Sequence, residues 1–340
     1  MGGYSMTRQC VLIQHGLSMV GNRVGTCCYN TTHPNNYSGY NIDPVGCKAC
    51  VDQEESGIKS YRQGANEAYG MIHDHCAPIV LDFTPNQNCN ITCKICNENS
   101  SSSWAKLKQI KIHKNYNVSL NKFESALDNI DLNHVKEINF SGGEPMLNNN
   151  LLKYINTLSS RIDFAKCKLR FSTNGTIPLT NKMSEFFLQF QLVLARFSID
   201  DIEEGFEYQR YPAKWDQCHA NWKLFLDAMP HNVIPSINRT VSVLNIRRLD
   251  LLDKWHSNYL QTKFSDPIEL IDHYAFGSYS LNAITPEFKE HIRLNKSGRA
   301  WVISSISLLQ VTLGNYNQWF SSTMHYMVPI YWILIQIFII

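Results

Sequence analysis

From residue 79 onward the sequence alternates short β-branched or apolar runs with longer amphipathic stretches, and this rhythm restricts the fold more than any other feature. The spacing predicts strands over 79–83, 135–140, 168–172, 192–199, 240–244 and 268–271. Between them it predicts helices over 104–113, 151–161, 181–189, 215–228 and 247–259. Repeated strand–helix units imply a parallel sheet with right-handed crossovers. Either a doubly wound sheet or a partly closed βα barrel satisfies the pattern, and periodicity alone does not separate them. In both, reactive groups belong on the loops that leave the carboxyl ends of strands.

Residues 1–76 read differently, being rich in Gly, Asn and Cys with few long apolar runs, and they suggest a small Cys-rich N-terminal module. The alternating core then spans 77–275, followed by a C-terminal region over 276–340. With 340 residues, 44% of them hydrophobic, the chain can bury a sizeable core, which excludes wholesale disorder. Lys plus Arg (31) against Asp plus Glu (29) gives +2, too balanced for a dedicated nucleic-acid binder. Of 11 cysteines, nine precede residue 100. Met1 to Cys10 lacks the apolar stretch of a signal peptide, so a cytoplasmic, reducing setting is expected. There, clustered cysteines read as metal ligands or redox groups before disulfides.

The end of the chain is unusual. After Arg299 there is no Asp, Glu, Lys or Arg, and the final apolar run, Met327 to Ile340, has 14 residues. A bilayer span needs ~18 to 20. A membrane-associated end, a buried element and non-native sequence all compete. The abrupt loss of charge favours the last, so the tail is assigned no function and membrane association is not expected.

Directly after the first strand comes Cys89-Asn-Ile-Thr-Cys93-Lys-Ile-Cys96, a C-x3-C-x2-C loop. Three thiolates on a short loop suit a soft metal centre with one position left open. In an iron–sulfur cluster the three would hold three irons and leave the fourth free. The competing reading is zinc, completed by His73 or His75. The next strand ends in Gly142-Gly143-Glu144-Pro145, where two glycines admit close backbone approach and Glu144 offers a carboxylate to an ammonium group. The third ends in Ser172-Thr-Asn174-Gly175 and the fourth in Ser198-Ile-Asp200-Asp201, placing hydroxyl, amide and carboxylate groups at the same end. Each of these segments alone reads as a turn. Four successive strand ends with ligand-type groups do not.

In that order and combination the motifs resemble those of the radical S-adenosylmethionine (radical SAM) enzymes, over residues 79 to about 275. Lys59 to Arg62, Ser101 to Trp104 and Arg210 to Pro212 are similar to segments of twitch-domain-containing members. The resemblance implies a partial (β/α)6 TIM-like barrel. It implies that Cys89, Cys93 and Cys96 bind a 4Fe-4S cluster whose open iron is chelated by S-adenosylmethionine. Gly142, Gly143, Glu144 and Pro145 would accept the methionyl ammonium. Ser172, Asn174, Ser198 and Asp200 would contact its ribose or carboxylate. Reductive cleavage would yield a 5′-deoxyadenosyl radical that abstracts hydrogen from a substrate, with flavodoxin or ferredoxin as a fitting electron donor. Ile95 stands where many members carry an aromatic residue, and no Gly-x-Ile-x-Gly-x-x-Glu pattern follows, which leaves Asn245 as the adenine candidate. Arg210 reads either as a partner for a carboxylate or as a surface arginine.

A second group comprises Cys10, the adjacent Cys27 and Cys28, and Cys47-Lys-Ala-Cys50. Cys47-x2-Cys50 has chelating spacing, and four thiolates can complete an iron–sulfur cluster or a zinc site. The resemblance implies an auxiliary 4Fe-4S cluster on Cys10, Cys28, Cys47 and Cys50, and by analogy a peptide substrate. Two alternatives stay open. One is a small-molecule reaction resembling that of 7-carboxy-7-deazaguanine synthase, and the other is a zinc-stabilised binding protein without catalysis. Cys76, Cys167 and Cys218 read as packing residues, and Trp104, Trp215 and Trp255 as core or interface.

Overall fold

A computed structural model describes residues 9–21, 23–27, 47–55, 57, 59–70, 77–111, 117–260, 268–275, 277–281, 292–294 and 301–303. The chain divides into two compact units, 1–283 and 284–340. The first is built on an eight-stranded sheet. Its strands are β1 (Gly16–Val20), β2 (Arg23–Gly25), β3 (Val80–Thr84), β4 (Glu137–Phe140), β5 (Lys168–Thr173), β6 (Leu192–Ser198), β7 (Val233–Val241) and β8 (Glu269–Tyr274). They lie in the order β2-β1-β3-β4-β5-β6-β7-β8, and every pair from β1 to β8 is parallel, with only β2 antiparallel to β1.

Strand order resolves what periodicity left open. A doubly wound sheet reverses its order at a switch point, which sends helices to both faces. From β3 to β8 the order never reverses. Right-handed crossovers then place the helices on one face and leave the other as the inner face of a partial (β/α)6 TIM-like barrel. The outer-face helices are α4 (Ser102–Leu107), α5 (Leu120–Ser125), α6 (Asn150–Asn156), α7 (Asn181–Phe187), α8 (Glu203–Gln209), α9 (Trp215–Ala228) and α10 (Leu249–Trp255).

Burial alternates along the central strands, as a sheet with one core-packed face requires. Leu169, Phe171, Val193, Ala195 and Phe197 enter the large core. Aromatic pairs join helices to strands: Phe83 to Phe123 with centroids 4.7 Å apart, Phe171 to Phe187 at 5.4 Å and Phe197 to Phe225 at 4.9 Å. Each such pair adds about 0.5–1.5 kcal/mol beyond its buried area. The opposite residues, among them Asp82, Asn139, Arg170 and Arg196, line the inner face.

Two sequence expectations need correction. The fifth core strand runs over Val233–Val241, not 240–244, because it contains Pro235, which ordinarily argues against a central strand. Here ladder bonds to β6 use carbonyls such as those of Asn232 and Asn238, and pairing with β8 starts only at Ser236. The missing N–H of Pro235 therefore falls outside both ladders. The Cys-rich stretch is also not set apart. It supplies β1 and β2 to the same sheet, with α1 (Leu12–His15), α2 (Lys48–Glu55) and α3 (Tyr61–Tyr69) around them.

Helix α3 begins on a reciprocal capping box between Ser60 and Gln63. Its Arg62 makes a buried ion pair with Glu54 of α2 and donates to the Gln9 carbonyl at 2.8 Å. Its Tyr61 hydroxyl reaches Asp82 at 3.4 Å and accepts from Asn139 at 3.2 Å, and Tyr69 bonds Glu137. These contacts put α3 against the inner face near the amino ends of the strands. A smaller core of Cys10, Val11, Leu12, Ile13, Ala65, Ile79 and Val80 fills the space beside it.

In the second unit, the described residues are β9 (Ile292–Leu294) and β10 (Trp301–Ile303), paired antiparallel. The uncharged tail, Cys28, His73, His75 and Cys76 lie outside the described residues. Among the described residues no helix is long and apolar enough to cross a membrane.

Candidate functional site

The loop carrying Cys89, Cys93 and Cys96 leaves the carboxyl end of β3 and has no regular structure, so its shape is set by partners outside it. The serine run that opens α4 supplies several of them. Ser102 accepts from the Cys89 N–H at 3.0 Å, Ser103 donates to the Cys89 carbonyl at 2.7 Å, and Ser101 donates to the Ile91 carbonyl at 2.8 Å. The Trp104 indole donates to the Cys93 carbonyl at 2.8 Å, a positioning role beyond the core or interface packing that the sequence suggested. On the other side, the Thr92 and Lys94 N–H groups donate to the carbonyls of Tyr211 and Gln209 at 2.6 and 2.8 Å.

The Gly142–Pro145 turn after β4 is clamped onto the same loop. The Glu144 N–H donates to the Asn88 carbonyl at 2.7 Å, one residue before Cys89. Gly142 and Gly143 have φ of +90° and +52°, and a Cβ on Gly143 would lie 2.1 Å from the Asn88 oxygen. Both positive φ and close approach therefore demand glycine here. The fully buried Glu144 carboxylate accepts from Thr173 Oγ1 at 2.7 Å, the Asn174 N–H at 2.7 Å and the Met146 N–H at 3.1 Å. Burial raises its pKa while these donors oppose the shift. Three of about four acceptor sites are thus used within the protein. Glu144 braces the ends of β4 and β5, which its sequence context did not reveal.

Asn174 donates to Asn90 at 3.1 Å and approaches the Cys89 sulfur at 4.0 Å, which brings the third strand end to the loop. The fourth arrives through Asp200 and Arg210. Arg210 Nη2 donates to Asp200 at 2.6 Å, and Nη1 reaches the Cys93 sulfur at 3.7 Å. Arg210 is only 6% exposed, so it is no surface arginine, and its Nε is buried with no hydrogen-bond partner. Asp200 is committed too, its other oxygen accepting from the Thr240 N–H at 2.7 Å. Asn245 is spent within the protein, donating to the carbonyls of Asp200 and Thr240 at 2.8 and 2.9 Å, so the adenine assignment to it does not fit. Ser172 and Ser198 lie on the inner face, and Ser172 accepts from Asn238 at 3.4 Å.

The thiols interact electrically. Burial pushes Cys93 up to about 12; Arg210 opposes this, and Cys96, Asp200 and Cys89 reinforce it. Burial likewise raises Cys89 and Cys96, with Cys89 adding to the rise at Cys96. Cys89 and Cys93 also lean on the large apolar core, which limits water around their sulfurs. Among the described residues no three His, Cys, Asp or Glu side chains converge on a single metal ion. A 4Fe-4S cluster takes one thiolate per iron, so its ligands need not converge in that way. Three neighbouring thiols, with Arg210 Nη1 3.7 Å from the Cys93 sulfur and its Nε buried without a partner, fit a cluster whose cosubstrate bears a carboxylate.

Cys10, Cys47 and Cys50 form the second group. Burial raises Cys10 to about 11, with Cys47 and Cys50 adding to it, and Cys27 packs against the same small core. Cys10 precedes α1 and β1, so this group lies at the amino ends of the strands, opposite the Cys89 loop. Cys167 and Cys218 are buried in the large core, as packing residues.

The described residues thus define the class as a partial βα barrel with a three-thiol loop pinned at the carboxyl ends of its strands. A family model described as the radical SAM superfamily matches residues 83–215, fewer than half of the chain's residues. Among solved structures, native anSMEcpe with bound AdoMet is 18% identical, with 59% of this chain and 55% of that chain covered at a TM-score of 0.43. Native anSMEcpe with bound AdoMet and Kp18Cys peptide is 17% identical, covering 60% and 55% at 0.41. Streptococcus suis SuiB bound to precursor peptide SuiA is 14% identical, covering 72% and 48% at 0.39. The chain thus spans about half the length of these proteins. No curated protein matches it.

Proposed function

We propose that the chain is a radical SAM enzyme, and the observation that carries this reading is the partnerless Nε of buried Arg210 beside Cys93 on a three-thiol loop. Cys89, Cys93 and Cys96 would hold a 4Fe-4S cluster, with the Ile91 and β-sheet core behind them excluding water. When bound, the reduced cluster supplies the electron for cleavage of S-adenosylmethionine, which yields the group that takes hydrogen from the substrate.

The chain's own residues divide the remaining work. Arg210 favours the thiolate of Cys93 and presents Nε to the methionyl carboxylate, while Asp200 fixes its orientation through a charge-assisted bond. The Gly142–Gly143 backbone, held open by its glycines, accepts the methionyl ammonium, and Glu144 positions that turn. Ser172 and Ser198 remain for the ribose, whereas the Asn174 side chain is already bonded to Asn90 and Thr176. The amino-end cysteines, Cys10, Cys47 and Cys50 with Cys28, would hold an auxiliary 4Fe-4S cluster, placed too far from the mouth to touch a substrate there. A peptide substrate, a flavodoxin- or ferredoxin-type donor and a cytoplasmic location complete the reading.

Anaerobic reconstitution followed by reduction with S-adenosylmethionine tests it. The chain is expected to take up iron and sulfide and to release 5′-deoxyadenosine, and Cys93→Ala to abolish the release. Colourless protein with stoichiometric zinc, or undiminished release from the variant, would overturn the proposal.

A further inference from the structure

Register across the inner face places Ser172 beside Arg196, Arg196 beside Ser236, and Ser236 beside Glu269. Directly opposed residues share a face and diagonal ones lie within reach of long side chains. Arg170 is such a diagonal neighbour, paired with Leu194 two positions before Arg196. The two arginines are not equivalent. Arg170 is tied to Glu137 at 2.9 Å, and its Nε is buried without a partner. The half-buried guanidinium of Arg196 has no hydrogen bond or ion pair among the described residues. Its surroundings comprise Arg170, Glu137, Glu269, Tyr61 and His273. One row nearer the mouth, Asn238 pairs with Ser198, and its Oδ1 is also buried without a partner.

An unpaired cation in a protein interior is costly, and neighbouring like charge makes it costlier. Burial first, then Arg170, pull the Arg196 pKa down to about 10. Glu269 and Glu137 soften this without bonding to it. The inner face therefore holds a guanidinium fork and an amide oxygen that the fold leaves unused, on the strands that carry Ser172 and Ser198 at their carboxyl ends.

We infer that Arg196 is the anchor for a carboxylate of the substrate, with Asn238 accepting an N–H of the same molecule. This rests on the proposed radical SAM reading and names its substrate class, an acidic peptide or small carboxylic acid. A guanidinium fork matches a carboxylate through two parallel bonds. With Glu137 and Glu269 close by, a singly charged carboxylate suits the one fork that no ion pair occupies better than a phosphate dianion does.

The test uses the reconstituted full chain and three probes: acetyl-Ala-Glu-Ala-amide, the same peptide with Gln, and glutarate. A ligand bound only to the folded state raises the thermal midpoint. The Glu peptide or glutarate is expected to raise it and the Gln peptide to fail, and whichever acid acts identifies a peptide or a small acid as the source. Arg196→Gln is expected to weaken that binding about 10- to 100-fold, the loss typical of a charge-assisted pair. Arg196→Lys, which keeps charge but not the fork, should recover only part of it. Neither variant should lower the ligand-free midpoint, since no protein partner is orphaned. Equal response to Glu and Gln peptides, no response to either acid, or unchanged binding by Arg196→Gln overturns the inference. In the same preparations, 5′-deoxyadenosine release without a probe reports separately on the radical SAM reading, so the two can fail independently.

Discussion

At the residue scale, Asp82 shows how the inner face departs from an ordinary polar surface. Burial pushes its carboxyl up to about 6, with Glu137 adding to the rise and Asn139, Tyr61 and Arg170 opposing it. An acid whose folded pKa lies above its unfolded value binds its proton more tightly in the folded state. Its contribution to stability is complete below about pH 4 and is lost as the pH rises through about 6. Asp82→Asn is therefore expected to be more stable than the parent by about 1–3 kcal/mol near neutral pH. That gap should close towards pH ~4 in denaturant titrations, and a gap independent of pH would show that the carboxyl titrates normally. Residue chemistry was legible wherever it was local. The cysteine triplet announced itself because its ligand spacing lies within eight consecutive residues. Arg210 did not, because its burial arises from contact with Cys93, 117 positions away. Glu144 was legible as a site carboxylate but not as a brace, because two of its three donors, Thr173 and Asn174, reach it only in the folded sheet.

At the scale of elements, the turn after β4 carries the most demanding backbone. Gly57 and Gly143 both have positive φ, at +73° and +52°, but a Cβ on Gly57 meets nothing within 4 Å, whereas one on Gly143 collides with Asn88. Gly57→Ala should cost about 1 kcal/mol, from conformational strain alone. Gly143→Ala adds displacement of Asn88 and with it Cys89, so it is expected to cost about 2–4 kcal/mol and to lower iron uptake. Equal costs and equal iron in the two variants would mean the turn does not hold the cysteine loop. Elements with strong amphipathic rhythm were readable, the helix over 215–228 to the residue. β7 was shifted by Pro235, whose tolerance depends on which ladder its nitrogen faces. α3 carried a Ser-x-x-Gln capping signal, yet its function as a cover for the inner face depends on tyrosines that meet strands encoded later in the chain.

For the whole molecule, periodicity did not separate barrel from doubly wound sheet; the motif resemblance implied the barrel, and strand order, which no local pattern encodes, agrees with it. The same order sets two sulfur groups at opposite ends of strands about 17 Å long. They should therefore load independently. With both clusters the chain would bind about eight irons, and Cys47→Ser should reduce this to about four while 5′-deoxyadenosine release persists. A parent count near four would remove the auxiliary cluster and leave the mouth intact.

The amides of Thr92 and Lys94 rest on the carbonyls of Tyr211 and Gln209, which flank Arg210. This stitching gives an irregular loop the equivalent of a neighbouring strand, borrowed from the end of α8. Anything that grips the Arg210 side chain consequently tugs on Cys93 along two routes, one through the guanidinium and one through the main chain. Occupancy of the mouth and the seating of the sulfurs are mechanically a single variable.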